Sequence, residues 1–411
     1  MSYKFVRITS YYPEYLNYFY ERNPAAAFAP YNDQYTQLIN DSFEIAGSYT
    51  KNLNQIGVAA SDIISNASTL QNSWKKENDI AENTSSGELI IAQLKSHKPD
   101  VVWIDDFSFV NADWKVSLLK QVPSIKLFMG HICAPYNSEM EEKFKLLDIM
   151  FTCTPCFKHQ LEKIGIKTHL LYHGFETSSL NNINTNNSFQ ESDFLFSGSL
   201  YTGSGFHKTR IEYIEKILEA GVNVNLYCNL ESRSKVTAKK AMNQTIKTLK
   251  KIHAEKIIDK IPFLKKYKSY GDTSIKYYSK ELIKRTKPPV FGYDMLKLLS
   301  KANITFNIHG EVAQKCAGNI RLFEATGVGS CLVTDWKENL NDLFETEKEI
   351  VTYKSIGECI DKVKWLLNNP EKRKKIANAG QEKTLAEHTI EKRAKTVNEI
   401  ITKEMNKFTA L

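Results

Sequence analysis

Short, almost wholly apolar runs punctuate the first part of the chain: KFVRITS, DVVWIDD, IKLFMGH, DIMFTC and THLLYHG. Each is of strand length and rich in β-branched and aromatic residues. Between them, Glu88–His97, Ser138–Leu147 and Cys156–Ile164 carry apolar residues at helical spacing. Strands too apolar to have a wet face, alternating with helices, predict a parallel sheet covered on both sides. The pattern lapses over ETSSLNNINTNNSFQES, Glu176–Ser192, where Asn, Ser and Thr show no apolar period, as expected of an interdomain connection. It then resumes with DFLFSGSL, a helix over His207–Ala220, and the strands VNVNLYC, NITFNIHG, SCLVTDW and EIVTY, with helices at Tyr293–Lys301 and Ile356–Asn368. The chain closes on two amphipathic helices hinged near His388 and Thr389. The expected fold class is therefore α/β, with two doubly wound domains at 1–180 and 190–388 and a last helix, 389–411, able to cross back to the first domain. Two such domains facing each other leave a cleft between the carboxyl edges of their sheets.

One segment breaks the alternation. From Asn229 to Pro289 the apolar spacing (Ile246, Leu249, Ile252, then Ile257, Ile258, Ile261) is helical, which predicts a helical insertion in the second domain. It holds 17 Lys and Arg against 5 Asp and Glu, so it carries +12 in a chain whose total is +8, and the remainder sums to −4. Its lysines are interleaved with Phe263, Tyr267, Tyr270, Tyr277 and Tyr278. Such helices suit peripheral contact with an anionic membrane, at about 1 kcal/mol per basic residue, and equally suit a solvated charged face. Nucleic acid is not expected, because the basicity is confined to one insertion with no recognised binding motif.

The length of 411 residues fits two or three cores, and a hydrophobic content of 42% excludes wholesale disorder. No apolar run approaches the roughly 20 residues that cross a bilayer, and MSYKFVRITSYYPEYL lacks a signal-peptide core, so a cytoplasmic protein is expected. Seven scattered cysteines do not suggest a disulfide framework.

The stretch AGNIRLFEATGVGSCLVTDW, Ala317–Trp336, concentrates the candidate chemistry. Gly318 and Asn319 precede a short helix whose free N–H groups suit an anion such as a diphosphate. Glu324, one turn in, could accept hydrogen bonds from ribose hydroxyls; a solvated helix residue after a simple turn is the alternative. His131 ends a strand at the proposed cleft and could be a general base or a sugar ligand, or merely a loop histidine. His309 has a similar position in the other domain. Asp105 and Asp106 are the runner-up base, or caps for the next helix. CTPC, Cys153–Cys156, has no partner pair for zinc and reads as a buried pair beside a strand end, with a thiol-redox role as the alternative.

The blocks NIRLFEA, CLVTD, LFE and NNPEKRKKIANAGQEKTLAEHT, in this order, resemble the C-terminal signature of the CgeB-like glycosyltransferases, a GT-B family related to the group 1 transferases. YPEYLNYFY, LQNSWKKE and HLLYHGF in the N-terminal half agree, and the resemblance covers most of the chain outside the basic insertion. It implies sugar transfer from a nucleotide-sugar donor on the C-terminal domain to a glycan, lipid-linked or protein acceptor on the N-terminal one. Glu324 would bind the donor ribose, and the helix after Gly318 and Asn319, with Arg321, would face the diphosphate. Arg210 or Lys208, after the glycine-bearing strand exit at Gly198, would supply further cations. Phe291 and Gly292, in VFGY, would line the nucleobase pocket, and His309 the donor side. Many retaining relatives carry a second acidic residue eight positions before the ribose glutamate; this chain has Cys316 there, with Glu311 nearby as a substitute. No Asp-x-Asp occurs, so no metal is expected on the diphosphate. The implied activity is retaining and metal-independent; a GT-B sugar-nucleotide epimerase and a non-catalytic binding protein are the alternatives.

Overall fold

In a computed structural model the described residues are 3–45, 47–183, 185, 187–203 and 208–409. Twelve strands are assigned among them: β1 Lys4–Thr9, β2 Ala59–Ile64, β3 Val101–Ile104, β4 Leu127–Ile132, β5 Ile149–Thr152, β6 Thr168–Leu170, β7 Leu195–Leu200, β8 Asn225–Leu230, β9 Thr286–Lys287, β10 Ile304–Asn307, β11 Cys331–Asp335 and β12 Val351–Tyr353. They form two six-stranded sheets, ordered β2-β1-β3-β4-β5-β6 and β12-β11-β10-β7-β8-β9. Every pairing within them is parallel. The strand order turns back between β1 and β3 in the first sheet and between β7 and β10 in the second, and in open α/β sheets ligands bind beyond the carboxyl ends at such points.

β2 has no counterpart in the hydrophobic pattern, because AASDII places a carboxylate in mid-strand. Asp62 is 2% exposed, yet it accepts a hydrogen bond from the Thr50 hydroxyl and faces Arg7 of β1 at 3.8 Å. A charge buried with a partner is tolerated inside a sheet, and that partner is supplied by tertiary structure alone.

The last helix, Ile390–Thr409, returns to the first domain and buries Ile390, Ala394, Val397, Ile401 and Met405 against Val101, Trp103, Leu127 and Phe151 of its strands. The two interdomain passages pair: Phe175 N–H donates to His388 C=O at 2.8 Å, and Ile390 N–H to Phe175 C=O at 3.0 Å. A Cβ on Gly174 would lie 2.9 Å from that His388 oxygen, so only glycine fits there.

Between β8 and β9 lies the basic insertion, with helices Arg233–Lys251, Glu255–Lys260, Pro262–Lys266 and Lys280–Arg285. Ile246 and Ile258 are fully buried and anchor it, whereas Ile252, Ile257, Ile261 and Phe263 stay exposed, the last at 60%. Among the described residues no helix is long and apolar enough to cross a membrane.

The cysteines depart from expectation. Four of the seven pair, as Cys133–Cys153 and Cys156–Cys316, with Cα separations of 5.5 and 6.0 Å; Cys228, Cys331 and Cys359 are buried and free. The two cysteines of CTPC thus take different partners. Sequence separations of 20 and 160 residues hide both pairings, since one joins neighbouring strand ends and the other joins the two domains.

Candidate functional site

A cavity of about 380 Å³ lies between the domains. From the second domain Glu324, Arg321, Gly198, Tyr227 and the Val290–Gly292 turn line it; from the first, Tyr12, Ser42, Phe43 and Glu44. Glu324 sits on the helix Arg321–Gly327 and is 8% exposed. Its carboxylate is ion-paired with the Arg321 guanidinium at 2.8 Å, and Glu324 Oε2 and Arg321 Nη1 have no hydrogen bond to any other group. Buried polar atoms left in this way are rare, and in a cavity wall they mark places for ligand hydroxyls or anions.

The loop before this helix is tied down on both sides. Asn339 accepts from Ala317 N–H at 2.6 Å and donates to Ala317 C=O at 2.9 Å. The Asn319 amide pairs with the Asn307 amide at 2.7 Å, so its side chain serves the loop and does not face the cavity wall. Gly318 packs on the Cys153 backbone and Thr154 of the other domain, where a Cβ would overlap the Cys153 carbonyl oxygen. Gly318 is thus required for domain contact, whatever the loop binds. Gly318→Ala is expected to cost about 1–3 kcal/mol of stability through overpacking, read from the denaturation midpoint; an unchanged midpoint would show that the loop yields freely.

Arg210 donates to the Ile308 carbonyl at 3.0 and 3.2 Å, and burial together with the nearby Arg321 pushes its pKa down to about 10. Its Nη1 lies against the exit of β7, where a Cβ on Gly198 would stand 3.4 Å away, an ordinary contact. The Lys208 side chain lies outside the described residues.

Phe291 packs edge-on against Tyr15, Tyr18 and Phe43 of the first domain. Gly292 has φ +57° and begins the helix Gly292–Ser300, where a Cβ would strike Asp41. Asp41 accepts from the Tyr293 backbone, and burial pushes its pKa up to about 6. Tyr18 donates to Asp294 at 2.6 Å, and Arg22 pairs with the same carboxylate. The turn expected to read a base is therefore also where the N-terminal helix Pro13–Arg22 clasps the second domain.

The other candidates lie off this cavity. His309 donates from its backbone N–H to Asp335 at 2.9 Å, and its Nδ1 lies 2.8 Å from the same carboxylate oxygen. It lines a neighbouring cavity of about 550 Å³ with Glu311, which accepts from Thr209 N–H at 2.7 Å at the start of the helix Lys208–Glu219. Cys316 is turned to Cys156, and Glu311 does not line the Glu324 cavity. Asp105 binds Arg7 at 2.6 Å, and burial raises its pKa. His131, on β4, is 3.8 Å from Asp105, and burial followed by Arg7 drops its pKa to about 3, so it is neutral at physiological pH. Neither residue lines the cavity.

Sequence reasoning passed over Glu44. Its φ is +51°, in a loop where Ser42 also has a positive φ of +54°, a conformation unfavourable for residues with a Cβ and often retained at functional sites. Glu44 is exposed by its own surface, although it borders the cavity between the domains. Desolvation, with Glu324 adding and the Tyr12 hydroxyl opposing, pushes its pKa up to about 7. The only trace in sequence is an acid held between Phe43 and Ile45, both of which are buried.

Residues 242–399 match the family described as Glycosyl transferase-like. No curated protein matches the sequence. Among solved structures, the chain is similar to HepE from Anabaena in complex with UDP-glucose (12% identity, TM-score 0.55, covering 98% of this chain and 100% of that one). It is similar to a glycosyltransferase from Rickettsia africae (10%, 0.54, 98% and 99%) and to sucrose-phosphate synthase from Thermosynechococcus elongatus (10%, 0.52, 100% of both). At these identities the likeness speaks for the fold, and it extends over both domains. The chain has the two-domain GT-B fold, and its residues 242–399 are similar to the glycosyl transferase-like family.

Proposed function

We propose that the interdomain cavity binds a nucleotide-sugar donor and that the protein transfers the sugar to an acceptor with retention of configuration and without a metal on the diphosphate. The observation that carries this reading is the Glu324–Arg321 ion pair, enclosed in the cavity, where Glu324 Oε2 and Arg321 Nη1 lie 2.8 Å apart and have no hydrogen bond to any other group. The ribose hydroxyls donate to Glu324, and Arg321 with Arg210 neutralises the diphosphate and its growing charge as the sugar departs. Phe291 and the backbone around it border the base. The structures of HepE with UDP-glucose support a nucleotide sugar as the ligand class.

Cys316 leaves the usual acidic position empty of charge, and we place Glu44 at the reacting sugar instead of His131, whose ring nitrogens face Cys133 and Asp105. Ionised Glu44 stabilises the positive charge that develops at the anomeric carbon. The acceptor oxygen attacks from the face that the diphosphate leaves, and a departing phosphate oxygen takes the acceptor proton. Contact between the domains keeps water out during the step. Incubation with nucleotide sugars and mass spectrometry of the products tests this: sugar joined to an acceptor supports transfer, while a rearranged nucleotide sugar formed without acceptor points to epimerase chemistry.

The exposed Ile252, Ile257, Ile261 and Phe263, set among Lys250, Lys251, Lys256, Lys265 and Lys266, favour an acceptor presented at an anionic membrane. Replacing Lys256, Lys265 and Lys266 by Ala should weaken sedimentation with phosphatidylserine vesicles by about 3 kcal/mol, roughly 150-fold. Equal binding of parent and variant, or equal binding to neutral vesicles, would remove the membrane from the account.

A further inference from the structure

Three neighbouring parallel strands of the first sheet each deliver a metal-binding side chain to one place. Cys133 follows β4, Cys153 follows β5 and His173 follows β6 by three residues. The two sulfurs and a His173 ring nitrogen all lie within 4.8 Å of one another. Cys153 is buried, and Cys133 and His173 are half-buried.

His131, on β4 itself, approaches the same point: its Nε2 is 3.2 Å from Cys133 Sγ. Its other nitrogen, Nδ1, faces Asp105 Oδ1 at 3.8 Å, and Asp105 is itself held by Arg7. The His131 and His173 rings meet edge to face at 5.9 Å. Pairing of the two sulfurs accounts for the cysteines but not for two imidazoles brought to them. A carboxylate behind one ring nitrogen, with the other nitrogen turned to thiolates, is how metal-bound histidines are oriented.

We propose that Cys133, Cys153, His173 and His131 bind a zinc ion, with Asp105 orienting His131 from behind. Two sulfur and two nitrogen donors suit this borderline-soft cation in a tetrahedral site. The paired sulfurs must first be reduced: a dithiol gives two electrons and two protons to the disulfide and becomes a disulfide itself. Zinc then displaces two protons from the thiols and is not itself reduced. The ion would fasten together the carboxyl ends of β4, β5 and β6 beside the contact of Cys153 with Gly318 of the second domain, off the cavity that Glu324 lines.

The test uses the whole chain, kept in a dithiol or phosphine reductant, freed of metal and titrated with Co²⁺ as the probe. We expect one equivalent to bind, with a thiolate-to-cobalt charge-transfer band, strong visible bands of tetrahedral cobalt, and release of two protons in weak buffer. Zn²⁺ should bleach these bands. Cys153→Ser and His173→Ala should each lose or visibly alter them, whereas Cys359→Ser, a buried free cysteine elsewhere, should keep them. The proposal is overturned if the reduced parent gives no charge-transfer band, if the Cys153 and His173 variants give the parent spectrum, or if alkylation shows Cys133 and Cys153 still linked in reductant. The parent titration needs no variant to fold, and nucleotide binding at Glu324 is measured separately, so neither result decides the other.

Discussion

Glu324→Ala is expected to weaken nucleotide binding by about 2–3 kcal/mol, roughly 30- to 150-fold, when measured by titration calorimetry. In the proposed complex the side chain offers a buried carboxylate to two ribose hydroxyls, and hydrogen bonds to a charged acceptor are the stronger kind. Part of the loss is offset, because Arg321 gives up its carboxylate neighbour at 2.8 Å and its charge becomes more available to the diphosphate. Glu324→Gln, which keeps the shape, should fall between parent and alanine. Affinity unchanged in both variants would mean that the nucleotide binds elsewhere or not at all.

Glu44→Gln is expected to leave nucleotide affinity within about threefold and to lower turnover by roughly 10²–10³, the scale seen when one transition-state electrostatic contact is lost. In the parent, turnover should rise with pH through about 7, as Glu44 ionises, and the variant should lack that limb. Stability moves the other way. The folded pKa lies above the ordinary glutamate value, so between roughly pH 4.5 and 7 the folded state holds the proton that the unfolded chain has released. The contribution is present in full below that window and is lost as pH rises through it, and Glu44→Gln should remove this part of the slope. A variant with parental turnover and an unaltered rate profile would return the reacting-sugar position to another residue.

Much of the fold is legible in the sequence because strands buried on both faces announce themselves as apolar runs. The five strands read in the first domain and the five in the second carry no charge that needs a distant partner in mid-strand, apart from Arg7. β2 fails that condition at Asp62, and β9, with only two residues, is too short for any pattern. The site was partly legible. Glu324, Arg321, Gly198, Phe291 and Gly292 do meet around one cavity, since a local motif places the first two and strand or helix ends place the others. Glycine was ambiguous at two positions: Gly318 and Gly292 serve close approach between domains, which no local spacing encodes. Glu44 was invisible because its meaning depends on Glu324, 280 positions away in the sequence. The cysteine pairs and the histidines beside them depend in the same way on which strands become neighbours.

The most direct test of the account is a thermal-shift measurement of the purified parent protein with UDP, GDP, CDP, TDP and ADP and their sugars, without added metal. A ligand at about 100 times its dissociation constant stabilises by roughly 2.7 kcal/mol, which raises the midpoint measurably. One nucleotide and its sugars should raise the midpoint with no divalent cation present, and Glu324→Ala should cut the rise to about a third or less. No shift with any nucleotide, or a shift undiminished by Glu324→Ala, would contradict the donor-site assignment.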